Sequence, residues 1–325
     1  MNHPDLSIVV PLLNEAESLT ELQEWIDQVL ITTGLSYEVI YIDDGSTDGS
    51  WSVLSTLSRK RDTQNPNRCI KALRFFTNYG KSQALHAGFA AAKGNVVITM
   101  DADLQDSPEE IPELYNMIAH EGYHLVSGWK KKRYDSVLSK NIPSKLFNWA
   151  ARSTSGLQLH DFNCGLKAYD RDVIKSIDVH GEMHRYIPVL AKNSGFTKIA
   201  EKPVAHQARK YGETKFGYDR FIKGFLDLIT IAFISKYARR PMHFFGSAGV
   251  LMFVLGLIMA AYVGGSKLYR LYHDLPYGLV TNNPWFYIAL TTMILGCLFF
   301  IAGILGELIQ RSYKHDNRYQ IEEEL

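Results

Sequence analysis

The chain has 325 residues, 46% of them hydrophobic and 21% charged, which is enough for one large or two ordinary domains with a substantial core. Its net charge of +1 lacks the basic excess typical of nucleic-acid-binding proteins, so no nucleic-acid partner is predicted. The three cysteines are far apart and show neither metal-ligand spacing nor a disulfide framework. The amino terminus lacks the basic and apolar regions of a signal peptide, so we expect the first part of the chain to stay in the cytoplasm.

Strand-like and helix-like segments alternate through the first 130 residues. Five strands are predicted, at residues 6–10, 37–42, 70–75, 95–100 and 123–127. Helices are predicted over residues 18–30, from about residue 81 to 92 and from Pro108 onwards. This alternation predicts an α/β fold with a mostly parallel sheet that helices cover on both faces.

A polar motif lies at the end of each of the first four predicted strands. The motifs are PLLNE at residues 11–15, DDGSTD at 43–48, NYGK at 78–81 and DADLQ at 101–105. Ligands of such sheets bind outside the carboxyl ends of the strands, so we expect the motifs to share one crevice. The sequence has no GxGxxG after the first strand and no P-loop, which disfavours a dinucleotide-binding or P-loop enzyme.

Asp101 and Asp103 are carboxylates one residue apart at the end of a β-branched run. Two such groups repel each other, and a hard divalent cation that they share would relieve this repulsion. A cation with so few protein ligands usually completes its shell with substrate phosphates. The alternative is that both residues begin a turn, since Asp is a common turn former. Asp106, just before Ser107 and Pro108, is predicted to cap the next helix.

Two long uncharged apolar runs, residues 244–265 and 285–306, follow a sharp change in composition near residue 242. Each is close to the roughly 20 residues that a membrane-spanning helix needs; a buried hairpin in a soluble protein is the alternative. Basic residues flank the pair on both outer sides, which predicts that both ends lie in the cytoplasm. Before them, residues 218–237 carry an apolar stripe typical of an amphipathic helix on a membrane surface, with a core helix as the alternative.

The four strand-end motifs, in this order, resemble those of the inverting glycosyltransferases of family 2. The resemblance is narrower to the polyprenyl-phosphate glycosyltransferases related to dolichol-phosphate mannosyltransferase. It continues through residues 161–167 (DFNCGLK) and 209–216 (RKYGETKF) into the two apolar runs, and so covers essentially the whole chain. It implies the GT-A type of nucleotide-sugar-binding fold.

The resemblance also implies a domain plan. Residues 1–217 would form a cytoplasmic catalytic GT-A domain and 218–241 an amphipathic juxtamembrane helix. Residues 242–310 would form two transmembrane helices, and 311–325 a cytoplasmic tail. The protein would then be a multi-pass protein of the inner (cytoplasmic) membrane, in contact with membrane lipids. Small residues in the spans, such as Gly249 and Gly296, allow close helix packing within a chain or between chains, and therefore homo-oligomers.

By resemblance, one set of residues would bind the nucleotide-sugar: Pro11, Asn14, Glu15, Asp43, Asp44, Lys81, Asp101, Ala102 and Asp103. Within it, Pro11, Glu15 and Asp43 would hold the base and ribose. Asp101, Asp103 and Gln105 would bind Mg²⁺ or Mn²⁺ at the diphosphate. Departure of the nucleoside diphosphate builds up negative charge, which such a cation neutralises.

The acceptor implied by the resemblance is a polyprenyl phosphate, with undecaprenyl phosphate expected. Its anionic oxygen is already nucleophilic at neutral pH, so cations that position two anions matter more than a general base. Lys130, Arg209 and Lys215 are the candidate cations, although residues 130–133 could also be a solvated basic loop. Asp161 is a candidate base or orienting residue, with a turn residue as its alternative.

The resemblance therefore predicts an enzyme that transfers one sugar, with inversion, from a UDP- or GDP-sugar to polyprenyl phosphate. Two other functions stay open. A polymerising family 2 synthase usually has a Gln-x-x-Arg-Trp motif and more spans than this chain provides. A non-catalytic membrane scaffold or sensor could retain the fold, although the retained carboxylates, Asp161 and the 209–215 segment speak against it.

Overall fold

The computed structural model describes residues 3–59, 68–131, 148, 151–153, 155–179, 181, 183–207, 210, 241–312 and 319–325. These residues belong to two compact units. The first comprises Met1–Ser235 and Asn317–Leu325, and the second comprises Lys236–Asp316. The first unit contains the sheet, and the second contains two long apolar helices.

An eight-stranded sheet forms the centre of the first unit, in the order β7-β5-β6-β4-β1-β2-β3-β8. The strands are β1 (Leu6–Leu12), β2 (Tyr37–Asp43), β3 (Arg68–Phe75), β4 (Val96–Thr99), β5 (Leu125–Trp129), β6 (Lys167–Asp170), β7 (Ile199–Pro203) and β8 (Ile321–Glu324). The pairs β1/β2, β1/β4, β2/β3 and β5/β7 are parallel. Strand β6 runs antiparallel to both β4 and β5, and β8 runs antiparallel to β3.

Helices cover both faces of this sheet. They are α1 (Ala16–Leu30), α2 (Ser50–Arg59), α3 (Lys81–Ala91), α4 (Ile111–Ala119), α5 (Arg171–Ser176) and α6 (Ile187–Asn193). A 3-10 turn at Pro108–Glu110 leads into α4, and another at Met183–Tyr186 leads into α6. The predicted α/β fold with two covered faces is therefore confirmed, with antiparallel strands added at the sides of the parallel centre.

The core follows from the alternation of side chains along the buried central strands. In β1, Ile8 and Val10 enter the apolar cluster on one face, whereas Val9 enters the cluster on the other. In β2, Tyr41 belongs to the first of these clusters and Ile42 to the second. Because successive side chains of a strand point to opposite faces, a continuous apolar run suits a strand that is buried on both sides.

Three strands were not anticipated from the sequence, namely β6, β7 and β8. Strand β6 has four residues and lies between β4 and β5. Strand β8 comes from the segment predicted as a separate cytoplasmic tail, and it instead joins the sheet edge beside β3. Its sequence, IEEE, is exposed along its whole length, so it shows none of the apolar alternation by which a strand is recognised.

The second unit consists of α7 (Pro241–Tyr272) and α8 (Pro284–Ser312). Both are long and apolar enough to cross a membrane, and their apolar 18-residue stretches have mean hydropathies of 2.2 and 2.5. Their glycines face each other, and an added Cβ at Gly249 would lie 2.6 Å from the carbonyl oxygen of Gly296. The small residues therefore allow close packing within one chain. The predicted juxtamembrane helix at 218–241 lies outside the described residues, apart from Pro241.

Candidate active site

A cleft of about 310 Å³ opens at the carboxyl ends of β1, β2 and β4. This volume is within the usual range for small-molecule sites. Its walls include residues from all four strand-end motifs: Pro11, Leu12, Leu13, Glu15, Asp44, Asn78, Gly80, Lys81, Ala84, Asp101, Ala102 and Asp103. The predicted convergence on one crevice is therefore present in the structure.

The loops after β1 and β2 are joined through Asn14. Its backbone has a positive φ of 57°, its N–H donates to Ser46 Oγ at 2.8 Å, and its side-chain oxygen accepts from the Thr47 N–H at 2.8 Å. The Glu15 N–H donates to Ser50 Oγ at 3.0 Å. Asn14 thus fixes the loop geometry from outside the cleft wall, while Glu15 belongs to the wall itself.

The two aspartates at the end of β2 have different surroundings. Asp43 is completely buried and accepts from the Ser46 N–H at 2.8 Å, whereas Asp44 forms part of the cleft wall. The Asp44 carboxylate accepts from the N–H groups of Tyr79 at 2.7 Å and Gly80 at 2.9 Å. Burial raises the pKa of Asp44 above its usual value, although both backbone hydrogen bonds act in the opposite direction. Of the two aspartates, Asp44 belongs to the cleft wall and Asp43 does not.

Asp101 lies beside a lysine at the base of the cleft. Lys81, the first residue of α3, places Nζ 2.5 Å from Asp101 Oδ1. Burial alone would raise the pKa of Asp101, but the nearby Lys81, Lys130 and Lys167 outweigh it and lower the pKa to about 2. Gly165 leaves the room for this carboxylate, since an added Cβ there would lie 2.5 Å from Asp101 Oδ2. Asp101 is therefore ionised and held in a basic environment.

Asp103 and Gln105 complete the fourth motif. Asp103 belongs to the cleft wall, and its Oδ1 accepts from the Gln105 N–H at 3.2 Å. The intervening Leu104 has a positive φ of 60°, which marks the sharp turn after β4. Gln105 does not belong to the wall, and its carbonyl accepts from the Gln207 N–H at 3.0 Å.

The donor set fits a hard divalent cation that is shared with a substrate. Asp101 and Asp103 both belong to the cleft wall, and carboxylate oxygens are ligands that Mg²⁺ and Mn²⁺ prefer. Within the described part of the chain, no cluster of three His, Cys, Asp or Glu residues could hold a metal ion by itself. A cation at this position would need phosphate oxygens to complete its shell, as expected from the sequence.

A smaller cavity of about 20 Å³ shares Pro11, Lys81 and Asp101 with the cleft. Its lining includes Lys167, His184 and Arg185, none of which the sequence motifs predicted as a site residue. His184 Nδ1 lies 3.1 Å from Ser82 Oγ, and burial together with Lys81 lowers its pKa to about 3. His184 is therefore neutral at physiological pH. The only sequence feature that pointed to Lys167 as a site residue is that it is the last residue of the family-like segment 161–167.

Lys130 is held in place by an aspartate. Its Nζ lies 2.7 Å from Asp106 Oδ1, and the Lys130 side chain is 12% exposed, unlike a residue of a solvated loop. Burial would lower the pKa of Lys130, but Asp106 raises it above the usual value. The predicted cap role of Asp106 is wrong, because Ser107 Oγ accepts from the Glu109 N–H and caps the 3-10 turn instead.

Asp161 is almost completely buried at the start of its loop. Its Oδ1 accepts from the Asn163 N–H at 3.0 Å, and its own N–H donates to Glu201 Oε1 at 2.9 Å. These contacts describe a turn residue that does not belong to the cleft wall. Arg209 and Lys215, the other predicted acceptor-site cations, lie outside the described residues.

Solved structures with similar folds are glycosyltransferases. Glucosyl-3-phosphoglycerate synthase from Mycobacterium tuberculosis in complex with UDP superposes with a TM-score of 0.53 and 19% identity, over 71% of this chain and 80% of that protein. Its complex with Mn²⁺, UDP-glucose and phosphoglyceric acid gives a TM-score of 0.50 over 71% of this chain and 79% of that protein, at 19% identity. At this identity the similarity establishes a shared GT-A fold.

Curated relatives match along almost the whole chain. The dodecaprenyl-phosphate galacturonate synthase of Rhizobium johnstonii is 32% identical over 96% of this chain and 90% of its own length. The undecaprenyl-phosphate 4-deoxy-4-formamido-L-arabinose transferase of Klebsiella pneumoniae is 34% identical over 95% of this chain and 89% of its own length. Residues 7–178 match the domain described as Glycosyl transferase family 2. With its cleft built from the four motifs of that domain, the chain belongs to glycosyl transferase family 2 and is a glycosyltransferase.

Proposed function

We propose that the protein transfers one sugar from a UDP- or GDP-sugar to a polyprenyl phosphate, with inversion, and forms a lipid-linked sugar. The observation that carries this proposal is the cleft of strand-end motifs in a chain whose full-length relatives include polyprenyl-phosphate sugar transferases. Undecaprenyl phosphate is the proposed acceptor, as in the name of the Klebsiella pneumoniae relative.

The donor nucleotide would occupy the cleft with its base near β1 and β2. We assign Pro11, Glu15 and Asp44 to the base and ribose, because they belong to the cleft wall. Asn14 and Asp43 would position these residues from behind, through the Ser46 and Thr47 contacts.

The diphosphate would lie between the acidic pair and Lys81. Mg²⁺ or Mn²⁺ held by Asp101 and Asp103 would neutralise the charge of the leaving group. Ala102 leaves room between the two carboxylates, and Lys81 offers a further cation. Gln105 contributes through its backbone, since its N–H donates to the Asp103 carboxylate and thereby orients it.

The acceptor phosphate would attack the anomeric carbon from the face opposite the leaving group. A bond forms between this carbon and the lipid phosphate oxygen while the bond to the nucleoside diphosphate breaks, which inverts the configuration. The attacking oxygen is already anionic, so the step needs no general base. Lys130, fixed by Asp106, would bring the two anions together with Arg209 and Lys215, and Asp161 would orient the acceptor loop.

Strand β8 supports a location of both ends of the chain on one side of the membrane, and the positive-inside bias makes that side the cytoplasm. It follows the two apolar helices and yet pairs with β3, which precedes them. Because both strands lie in one sheet, the chain between them must cross the membrane an even number of times. Two spans in the inner membrane satisfy this condition and keep the cleft on the cytoplasmic side. The helix pair would lie within the membrane, in contact with its lipids. Gly249, Gly256 and Gly296 pack within the chain, so homo-oligomers would use other surfaces.

An assay with purified full-length protein tests the proposal. Labelled UDP- and GDP-sugars are incubated with Mn²⁺ and undecaprenyl phosphate, and the lipid product is separated by chromatography. One sugar per lipid phosphate is expected with at least one donor. Longer glycan chains would identify a polymerising synthase. If no donor gives a lipid-linked product although the protein binds nucleotides, a scaffold or sensor role is the better description.

A further inference from the structure

The C-terminal tail, residues 319–325, joins the sheet beside the donor cleft. The N–H of Leu325 donates to the Ala72 carbonyl at 2.9 Å, and the Ala72 N–H donates to the Leu325 carbonyl at 3.2 Å. A third backbone hydrogen bond runs from the Phe76 N–H to the Gln320 carbonyl at 3.3 Å. These bonds place the tail against the part of β3 that leads into the NYGK motif.

The tail contacts the end of β2 through Arg74. Arg74 Nε lies 3.4 Å from Glu322 Oε2, and its Nη1 lies 3.9 Å from Glu323 Oε1. On its other side, Arg74 Nε lies 3.9 Å from Asp43 Oδ2. This Asp43 oxygen is buried and has no hydrogen-bond partner among the described residues. The position of the Arg74 guanidinium therefore determines how strongly its positive charge acts on the Asp43 carboxylate. Glu322 and Glu323 help to fix that position.

An aromatic route runs beside the charged one. Tyr319 stacks on Phe75 with ring centroids 4.9 Å apart, and Phe75 meets the edge of Tyr79 at 5.6 Å. The Tyr79 N–H donates to Asp44 Oδ1 at 2.7 Å. The tail thus reaches Asp43 through Arg74 and reaches Asp44 through the aromatic rings.

We propose that the C-terminal tail positions the donor site and sets the affinity for the nucleotide part of the donor. Arg74, Glu322 and Glu323 hold Asp43, and Tyr319 holds Asp44 through Phe75 and Tyr79. This inference rests on the proposed function, in which Asp44 contacts the nucleotide. Strand β8 itself adds little to the core, since its four residues are exposed and Ile321 retains 43% of its accessible surface, whereas Tyr319 and Leu325 on either side of it pack against the core. The contacts of Glu322 and Glu323 therefore bear on the position of the two aspartates more than on the stability of the domain.

Charge-neutralising variants test the charged route. Glu322→Gln and Glu323→Gln, singly and combined, remove the carboxylates that face Arg74. We expect the combined variant to raise the KM for the nucleotide-sugar about fivefold or more, the lower end of typical couplings between linked sites. The kcat and the KM for undecaprenyl phosphate should stay unchanged. Glu324→Gln is the matched control, because Glu324 belongs to the same exposed strand but pairs with Leu73.

Substitutions of Tyr319 test the aromatic route. Tyr319→Phe keeps the ring that stacks on Phe75 and loses only the hydroxyl, which lies 3.3 Å from His86 Nδ1. Tyr319→Ala removes the ring. We expect Tyr319→Ala to raise the KM for the donor and Tyr319→Phe to leave it unchanged, because the stacked ring makes the contact with Phe75.

Nucleotide binding separates failure of this inference from failure of the proposed function. Calorimetric titration with UDP and with GDP, each with Mn²⁺, requires no turnover. If the wild-type protein binds neither nucleotide, both proposals are overturned. If the wild type binds one and the combined glutamine variant binds it as tightly as Glu324→Gln does, only the tail inference fails. A lower kcat at constant donor KM would show a merely structural role and would also overturn it.

Discussion

At the residue scale, the ionisation of Asp101 depends on groups from three separate parts of the chain. Lys81 begins α3, Lys130 follows β5 and Lys167 begins β6, and together they outweigh the effect of burial on the Asp101 pKa. A carboxylate in such a basic environment stays charged and can share a cation with a diphosphate. The three lysines place positive charge beside Asp101, which suits a donor and an acceptor that would both be anionic.

Neutralising either carboxylate should remove metal-dependent transfer. Asp101→Asn and Asp103→Asn keep the size of each side chain but lose the charge that holds the cation. We expect kcat to fall about a hundredfold or more, the scale on which loss of one stabilising group acts, while the thermal midpoint stays near that of the wild type. Mn²⁺-dependent formation of the lipid product and Mn²⁺ titration check this outcome. Exposed Asp172→Asn is the control, and normal activity of Asp101→Asn would contradict the metal assignment.

A methyl group at Gly165 should displace Asp101. In Gly165→Ala, the added Cβ would meet the Asp101 carboxylate at 2.5–2.7 Å, so that carboxylate must move. A shift of this size at a reacting centre is expected to reduce kcat/KM roughly ten- to a hundredfold. Gly49→Ala is the matched control, since its Cβ would meet only the Ala16 Cβ at 3.9 Å. Equal activity of the two variants would show that Asp101 has room to relocate without consequence.

At the element scale, α7 and α8 pack through glycines that bring their backbones together. An added Cβ at Gly249 would lie 2.6 Å from the Gly296 carbonyl oxygen, and one at Gly296 would lie 2.7 Å from the Gly249 carbonyl oxygen. Because lipid is as apolar as these side chains, close van der Waals contact rather than the hydrophobic effect holds such a pair together. The large apolar side chains on the outer faces are left exposed, as lipid-facing residues would be.

Valine at this contact should therefore separate the helices. Gly249→Val is expected to destabilise the pair by about 1–3 kcal/mol, the usual range for overpacking. The effect should appear as faster backbone hydrogen–deuterium exchange in residues 241–312 in detergent micelles. Gly264→Val is the control in the same helix, because an added Cβ at Gly264 meets nothing within 4 Å. Exchange rates that are equal in the two variants would rule out the glycine contact as the source of stability.

At the scale of the whole molecule, the C-terminal strand constrains the topology. Both the segment before α7 and the segment after α8 contribute strands to one sheet. Positive charges flank the helix pair on its outer sides, and the positive-inside bias gives the same orientation. The sheet pairing requires both segments to lie on the same side of any membrane that the helices cross, and the charge bias independently predicts that this side is the cytoplasm.

Cysteine labelling tests this topology. The native cysteines are first replaced through Cys69→Ser, Cys164→Ala and Cys297→Ala. In intact cells with a permeable outer membrane, a membrane-impermeant maleimide should label Gly278→Cys, in the loop between the helices. It should label Glu24→Cys and Glu324→Cys only after the inner membrane is opened, although both positions are exposed. Labelling of Glu324→Cys from outside would contradict the two-span arrangement.

The sequence by itself determined the parallel centre of the sheet and the convergence of its four motifs. Buried strands leave continuous apolar runs, and parallel strands place the residues that follow them at one edge, so local pattern is sufficient for Pro11, Glu15, Asp101 and Asp103. The family resemblance, which the comparisons confirm, rests on the same motifs.

Only the tertiary structure decided how distant residues meet. It placed Asp44 in the cleft wall with Asp43 behind it, joined Lys130 to Asp106, and lined the inner cavity with Lys167 and His184. It also placed an acidic C-terminal segment beside β3. These contacts join residues far apart in the chain through charge pairing, space left by glycines and edge-strand hydrogen bonding. None of these contacts produces a periodic pattern or a compositional bias that can be recognised locally in the sequence.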